Sequence, residues 1–128
     1  MREIKFRGKR LHNGEWVYGY YAYFPATHKA IILETNGYYV NEYGAIPETV
    51  GQFTGLKDCN GKEIYEGDVT DDNVGIGSVE YSEKYAGFRV NYHNGYCKWF
   101  YDYLDSEKRT LEIIGNIHEN PELLKGGE

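Results

Sequence analysis

Four Asn-Gly pairs divide this chain of 128 residues, and three of them lie between segments in which apolar and polar side chains alternate. Both central residues of a type I′ turn need a positive φ, which Asn and Gly accept most easily, and this turn fits the twist of paired strands. The pattern predicts β-hairpins around Asn13-Gly14, Asn36-Gly37 and Asn94-Gly95. The fourth pair, Asn60-Gly61, lies in a stretch with poor alternation, Gly55–Asp68, which we interpret as a structured loop.

The hairpin around Asn94-Gly95 has the clearest alternation. A two-residue turn pairs Val90 with Trp99 and Tyr92 with Cys97. Because successive side chains of a strand point to opposite faces, six of them then share one buried face: Phe88, Val90, Tyr92, Cys97, Trp99 and Tyr101. Equivalent two-residue turns in the other two hairpins place Leu33 opposite Val40, Lys9 opposite Tyr18 and Gly8 opposite Gly19.

Little helix is expected elsewhere in the chain. Two further segments have the composition of strands: Gly77–Ser82 and Leu111–Ile117. Two others are weak helical candidates: Asn120–Leu124, with Pro121 at the first helical position, and Tyr101–Lys108. The 14 Tyr and 16 Gly of the composition also suit a sheet protein with many chain reversals. We therefore predict a mainly β protein.

A lobe boundary is expected within Glu42–Thr54, where Gly44, Pro47 and Gly51 interrupt the strand pattern. This predicts an N-terminal lobe of β-hairpins over residues 1–50 and a second lobe over residues 51–128. The alternative is one continuous domain, because 128 residues is near the usual size of one.

Charge and targeting signals limit the partners. The net charge of −6 disfavours nucleic acid and anionic lipid as default partners, since both are themselves negative. No segment has the length and hydrophobicity of a signal peptide core or a membrane span. We expect a cytoplasmic protein of a bacterial host with no membrane partner.

Recognisable catalytic and metal-binding patterns are missing from the sequence. There is no Cys-x-x-Cys or His-x-x-x-His spacing, and the two cysteines, Cys59 and Cys97, are expected to be reduced and partly buried. His12 and His93 each precede an Asn-Gly pair, and they would form an acid–base pair only if the two turns met in space. The sequence therefore predicts no catalytic residue, no metal site and no cofactor.

A run of tyrosines on the second predicted strand is the candidate interaction surface. Two basic residues lie on the strand predicted to pair with it, and the full set is Arg7, Lys9, Tyr18, Tyr20, Tyr21 and Tyr23. Exposed aromatic rings next to cations can stack on nucleic acid bases. Tyrosine is also enriched in protein interfaces, and the acidic net charge favours this second interpretation.

Three blocks of the chain resemble the YopX family of bacteriophages and prophages, and they occur in the family's order. They are IKFRG at Ile4–Gly8, IPETVGQFTGLKD continuing through NGKEIYEGDV at Ile46–Val69, and EIIGNIHENPEL at Glu112–Leu123. The resemblance implies a mainly β fold whose C-terminal half is a small SH3-like barrel, and a phage or prophage origin. It implies no activity. Within the central block, turn roles are expected for Asp58, Asn60, Gly61, Gly67 and Asp68.

These observations lead to three hypotheses of function. The first is a non-enzymatic protein-interaction module that forms homo-oligomers and binds a host or phage protein. The second, which the charge does not favour, is a nucleic-acid-binding accessory of phage replication or regulation. The third is an enzyme with an unrecognised site, which requires a deep pocket lined by convergent polar groups.

Overall fold

A computed structural model of the chain describes residues 3–102 and 110–125. These residues form eleven strands and three short 3₁₀ helices, which confirms the mainly β prediction. The strands are β1 (Phe6–Lys9), β2 (Trp16–Phe24), β3 (Lys29–Thr35), β4 (Val40–Ala45), β5 (Gly51–Lys57), β6 (Glu63–Tyr65), β7 (Asp68–Asp71), β8 (Ile76–Ser82), β9 (Gly87–Asn91), β10 (Cys97–Trp99) and β11 (Glu112–Asn116). The 3₁₀ helices are Pro47–Thr49, Phe100–Asp102 and Pro121–Lys125.

The chain divides into two compact units, residues 1–53 and 54–128, and the division falls within β5. In the first unit the strand order is β4-β3-β2-β1-β5, and the paired strands are antiparallel. Its core consists of Ala30, Ile32 and Ala45 with Phe6, Val17, Tyr21 and Val50 packed against them. A bridge between Arg10 and Ala45 joins the end of β4 to the residues that follow β1.

In the second unit five strands form an antiparallel sheet in the order β10-β9-β8-β7-β11. The end of β5 pairs with β6, and there the Thr54 hydroxyl donates to the Ile64 carbonyl oxygen at 2.9 Å. The buried core consists of Ile64, Val79, Val90, Phe100 and Leu111. Within the described residues this sheet does not close into a barrel, so the SH3-like barrel is not confirmed.

The hairpin around Asn94-Gly95 forms, but the predicted register is wrong by one residue. Trp99 pairs with Arg89 and Lys98 pairs with Val90. The amide of Tyr92 donates to the carbonyl of Tyr96 at 3.1 Å, which leaves three residues in the turn instead of two. His93 and Gly95 both have positive φ there, 59° and 96°. Three-residue hairpin loops of this kind use a left-handed residue to restore strand pairing.

This slip of one residue exchanges the two faces of β10. Cys97 and Trp99 move from the predicted core to the outer face, because a shift of one residue reverses every side chain. Phe100 lies in the core in their place and is 6% exposed. Both cysteines are free and exposed, which corrects the expectation that they are partly buried.

The other two predicted hairpins have turns longer than expected. Val40 pairs with Thr35 and Trp16 pairs with Lys9, so each register is shifted by two residues. The side chain of Asn36 accepts hydrogen bonds from the amides of Tyr38 and Tyr39, which stabilises the wider turn. A shift of two residues keeps each side chain on its predicted face, but Gly8 and Gly19 do not lie opposite each other.

The interpretation of Gly55–Asp68 as a loop is wrong in part, because β5 continues to Lys57 and β6 begins at Glu63. Asp58 organises the turn between them: its carboxylate accepts from the amides of Asn60 and Lys62, each at 2.9 Å, and from Ile113 at 3.0 Å. Gly61 follows with a φ of 82°. The carboxylate of Asp68 accepts from the Tyr65 amide at 2.7 Å across Gly67, whose φ is 96°.

The remaining elements follow the sequence closely. Strands β8 and β11 coincide with the predicted Gly77–Ser82 and Leu111–Ile117 to within one residue at each end. The predicted turn after Asn120 is a 3₁₀ helix that starts at Pro121. Of the helical candidate Tyr101–Lys108, the first two residues belong to a 3₁₀ helix, and residues 103–109 lie outside the described part of the chain.

Candidate functional site

The outer face of the second sheet carries a polar network built by cross-strand pairs. Ser78 lies opposite Asn91, and Glu80 lies opposite Arg89. Arg89 Nε donates to Glu80 Oε2 at 2.6 Å, and Asn91 Nδ2 donates to Glu80 Oε1 at 3.0 Å. The Glu80 carboxylate therefore receives a charge-assisted bond and a neutral one on its two oxygens.

This network favours the ionised form of Glu80. Burial disfavours the charged carboxylate, but the hydrogen bonds from Asn91 and Arg89 and the positive charge of Arg89 outweigh it, so the pKa of Glu80 lies below its ordinary value. The hydrogen bond from Arg89 to Glu80 in turn raises the pKa of the guanidinium. The pair fixes the position of Arg89 on the sheet.

Arg89 lies against a group of aromatic rings that we call the aromatic platform, consisting of Tyr85, Trp99 and Tyr101. The guanidinium carbon is 5.2 Å from the Trp99 ring centre. Tyr85 meets Trp99 edge to face at 5.5 Å, and Tyr101 lies nearly parallel to Trp99 at 6.1 Å. Tyr85 is 61% exposed and Tyr101 is 79% exposed, so most of the platform is open to a partner.

A groove of about 750 Å³ lies in the same unit, lined by the turns after β7 and β9, by β10 and by the C-terminal 3₁₀ helix. Its lining includes Asp72, Tyr92, His93, Cys97, Leu123 and Leu124. The volume is in the range of small-molecule and peptide sites. The groove therefore has the size of a ligand site, and its polar groups decide whether it has the chemistry of one.

The acidic and imidazole groups that line the groove are hydrogen-bonded to neighbouring residues of the same unit. One carboxylate oxygen of Asp72 accepts from the amides of Val74 and Gly75, and the other accepts from the Tyr92 hydroxyl. The His93 ring nitrogen Nε2 is 2.7 Å from the Ser78 hydroxyl oxygen. These bonds shape the two turns, so they account for the acidic and imidazole groups without a bound ligand.

The predicted tyrosine surface does not form a single face. Arg7 is only 8% exposed, with its guanidinium 4.6 Å from the Trp16 ring centre, and Tyr21 packs in the core of the first unit. Burial, followed by the neighbouring Tyr23, raises the pKa of Tyr21. The side chains of Tyr18, Tyr20 and Tyr23 are exposed, and Lys9 is half-buried, but Tyr23 lies on the face of Tyr21. The tyrosines of β2 therefore lie on two faces of the strand, and their role in an interaction stays a prediction.

The sequence-based prediction missed the aromatic platform for a specific reason. The two-residue turn assigned to Asn94-Gly95 placed Trp99 and Tyr101 in the core, whereas the three-residue turn places Trp99 beside Arg89. Tyr85 lies in the turn between β8 and β9 and has no alternation signal of its own. The signal that could have indicated the position of Arg89 was Glu80, which lies opposite it across β8 and β9, since opposite charges pair across strands.

Two further properties follow from the described residues. Among residues 3–102 and 110–125, no group of three or more His, Cys, Asp or Glu side chains is arranged to hold a metal ion. In the same part of the chain, none of the helices has both the length and the hydrophobicity that crossing a bilayer requires.

The chain matches a family model, and its fold is similar to that of a solved structure. A family model described as YopX protein matches residues 5–125. The chain is similar to the crystal structure of protein EF1440 from Enterococcus faecalis, with 22% sequence identity and a TM-score of 0.53, over 97% of this chain and 99% of that chain. At this identity the similarity concerns the fold alone. No curated protein matches the sequence.

The variant Glu80→Gln tests the polar network. Because the pKa of Glu80 is lower in the folded protein, its stabilisation is complete above the unfolded-state value of about 4.3 and is lost as the pH falls through the folded-state value. The variant is expected to unfold at lower urea concentration at pH 7, and the difference from the parent is expected to shrink below about pH 4. Glu83→Gln, in the exposed turn after β8, is the control for loss of a charge. Equal effects of both variants at every pH would contradict this role of Glu80.

Proposed function

The chain belongs to the YopX family, and we propose that it acts by binding another protein, without catalysing a reaction. The aromatic platform is the observation that supports this proposal. Tyrosine, tryptophan and arginine are the residues that dominate the energetics of protein interfaces. Here all three types meet on the outer face of one sheet, where Arg89 and Tyr85 contact Trp99.

The construction of the platform suits binding. Trp99 is half-buried, since Arg89 and the rings of Tyr85 and Tyr101 contact it, and the bond to Glu80 holds Arg89 in place. A surface whose side chains are fixed before binding loses little conformational entropy when a partner arrives. The exposed faces of Tyr85 and Tyr101 are then available as contact area.

The groove supports a binding role more than a catalytic one. A general base or nucleophile must be available to a substrate, whereas the Asp72 carboxylate is bonded within its own turn and His93 is bonded to Ser78. The apolar part of the groove, with Leu123 and Leu124, adds contact area next to β10. We therefore propose a protein partner that covers the outer face of the second unit.

The first partner we propose is a second copy of this chain, which would make the protein a homo-oligomer. The net charge of −6 opposes a polyanionic partner. A host or phage protein in the bacterial cytoplasm is the second partner, which fits the phage and prophage origin implied by the family resemblance.

Sedimentation velocity over a range of concentrations tests self-association. We expect a reversible dimer or larger oligomer, and we expect Tyr85→Ala with Tyr101→Ala to weaken it by roughly 30-fold, which corresponds to a hot-spot loss of about 2 kcal/mol. Tyr38→Ala with Tyr39→Ala removes two tyrosines that are at least as exposed as Tyr85 from the turn between β3 and β4 and is the matched control. A protein that remains monomeric at high concentration would contradict self-association, and a capture experiment with host lysate would then test the heterologous partner.

Binding of single-stranded nucleic acid is the second candidate, because cations accompany the platform. Lys84 Nζ lies 5.2 Å from the Tyr85 ring centre, next to the Arg89 that covers Trp99. Stacking of a base on an aromatic side chain contributes about 1–3 kcal/mol.

This candidate predicts that an oligonucleotide binds at low salt and that added salt weakens the complex. Tyr101→Ala is expected to reduce the affinity by roughly 5- to 150-fold in fluorescence anisotropy, which is the stacking contribution expressed as a ratio. Tyr38→Ala serves again as the control, since Tyr38 is more exposed than Tyr101 and belongs to the other unit. Absence of binding at low salt would eliminate nucleic acid as the partner.

A further inference from the structure

The turn between β2 and β3 brings together three side chains of the first unit that the binding function does not use. The chain reverses over Phe24–His28, where the amides of Thr27 and His28 donate to the carbonyls of Phe24 and Pro25, each at 3.3 Å. His28 has a φ of 51°, in the left-handed region. This conformation directs the start of β3 and places the His28 ring next to Tyr23.

Tyr23, His28 and Glu48 form a continuous chain of hydrogen bonds. The hydroxyl oxygen of Tyr23 is 2.5 Å from His28 Nδ1, and the two rings meet edge to face. On the other side, His28 Nε2 is 3.3 Å from Glu48 Oε1. Glu48 belongs to the 3₁₀ helix Pro47–Thr49, so two separate elements hold the imidazole between them.

The Glu48 carboxylate determines which tautomer of neutral His28 fits this arrangement. A carboxylate only accepts hydrogen bonds, so Nε2 must carry the proton and donate it to Glu48. Nδ1 then has a lone pair that accepts the hydrogen bond from the Tyr23 hydroxyl. A backbone hydrogen bond within Glu48 and then the bond with His28 lower the pKa of Glu48, which keeps the carboxylate ionised at neutral pH.

We propose that Tyr23 is a nucleophile, that His28 is its general base, and that Glu48 is a positioning residue, which orients the His28 ring. The arrangement has the order of an activated nucleophile, a base and a group that orients the base. In the reaction, the Tyr23 oxygen attacks the carbonyl carbon of an activated carboxylic ester. The phenol proton moves to His28 Nδ1, the bond to the leaving alcohol breaks, and that alcohol takes the proton from His28. Tyr23 becomes an acyl ester.

The surroundings of Tyr23 define the class of acyl donor. Tyr23, His28 and Glu48 are all exposed, so a small ester can reach the Tyr23 hydroxyl directly from solvent. Small esters with good leaving groups need no binding pocket to react with an exposed hydroxyl, so they are the acyl donors of this proposal, which does not depend on the proposed binding function. Tyr23, His28 and Glu48 belong to the first unit, whereas the aromatic platform belongs to the second, so variants of one leave the other intact.

If exposure alone controlled the reaction, the order of tyrosine reactivity would be the reverse of the one proposed, so Tyr20 is an internal control. Tyr23 is 39% exposed, whereas Tyr20 on the same strand is 58% exposed. If accessibility controlled the reaction, Tyr20 would be acylated faster than Tyr23. If His28 acts as a base, Tyr23 reacts faster in spite of its lower exposure.

The full-length chain is treated with p-nitrophenyl acetate, and the acetylation rate of each tyrosine is followed by peptide mass spectrometry. We expect Tyr23 to react at least about tenfold faster than Tyr20, which is below the 10²–10⁴-fold typical of bases in enclosed active sites. Tyr23→Phe keeps the ring and is expected to abolish acetylation at this position without changing the rate at Tyr20.

His28→Gly separates a chemical role from a structural one. Glycine accepts a positive φ without strain, so this variant is expected to fold, as circular dichroism will verify. The rate at Tyr23 is expected to fall about tenfold, to the level of Tyr20. Because imidazole also activates the ester itself and so speeds acetylation of every exposed tyrosine, rescue is measured as the ratio of the Tyr23 rate to the Tyr20 rate, which added imidazole is expected to raise. Glu48→Gln is expected to lower the rate at Tyr23 severalfold and to leave Tyr20 unchanged.

Three results would overturn the proposal. The first is that Tyr23 reacts no faster than Tyr20, and the second is that folded His28→Gly reacts at the parent rate. The third is that imidazole raises the rates at Tyr23 and Tyr20 by the same factor in that folded variant. The last result would mean that imidazole acts only on the ester and that His28 only holds the turn, since a base replaced by free imidazole would speed the reaction at Tyr23 alone.

Discussion

The register of the hairpin between β9 and β10 is the constraint on which the outer face of the second unit depends. Three residues in the turn, with His93 and Gly95 in left-handed conformations, put Trp99 opposite Arg89. A two-residue turn would have placed the same indole ring in the core. The register therefore decides whether Trp99 lies in the core or on the outer face beside Arg89, because one residue of slip exchanges the two faces of a strand.

The polar network and the aromatic platform act together on this face. Glu80 lies opposite Arg89 and bonds to it, and the fixed guanidinium covers the Trp99 ring. An arginine bonded to a carboxylate gives up less conformational freedom on binding than a mobile one. The sheet thus presents exposed tyrosines around a tryptophan that its own neighbours already support. We infer that this preorganisation is what makes the surface suitable for a partner.

The sequence predicts the fold class and most elements, because alternation and turn residues are local signals. These local signals were sufficient to predict β8, which contains Val79, and β11, which contains Ile113. The turn lengths could not be predicted in the same way, since Asn-Gly fits two-residue turns and longer ones alike, and the choice depends on bonds such as those from Asn36 to the following amides. The burial of Arg7 could not be predicted from the sequence either, because alternation does not show that the Trp16 ring covers its guanidinium. The chain of Tyr23, His28 and Glu48 joins residues 20 positions apart, and no periodic pattern indicates it.

The register of β9 and β10 can be tested by disulfide formation with the natural Cys97 in a chain whose other cysteine is replaced, Cys59→Ser. In this structure Asn91 lies directly opposite Cys97, at the Cα separation of about 4.5–5.5 Å that a disulfide can bridge. We predict that Asn91→Cys forms an intramolecular disulfide with Cys97 under mild oxidation and that Tyr92→Cys, on the other face, does not. A disulfide from Tyr92→Cys and none from Asn91→Cys would place Trp99 in the core and contradict the account of the aromatic platform.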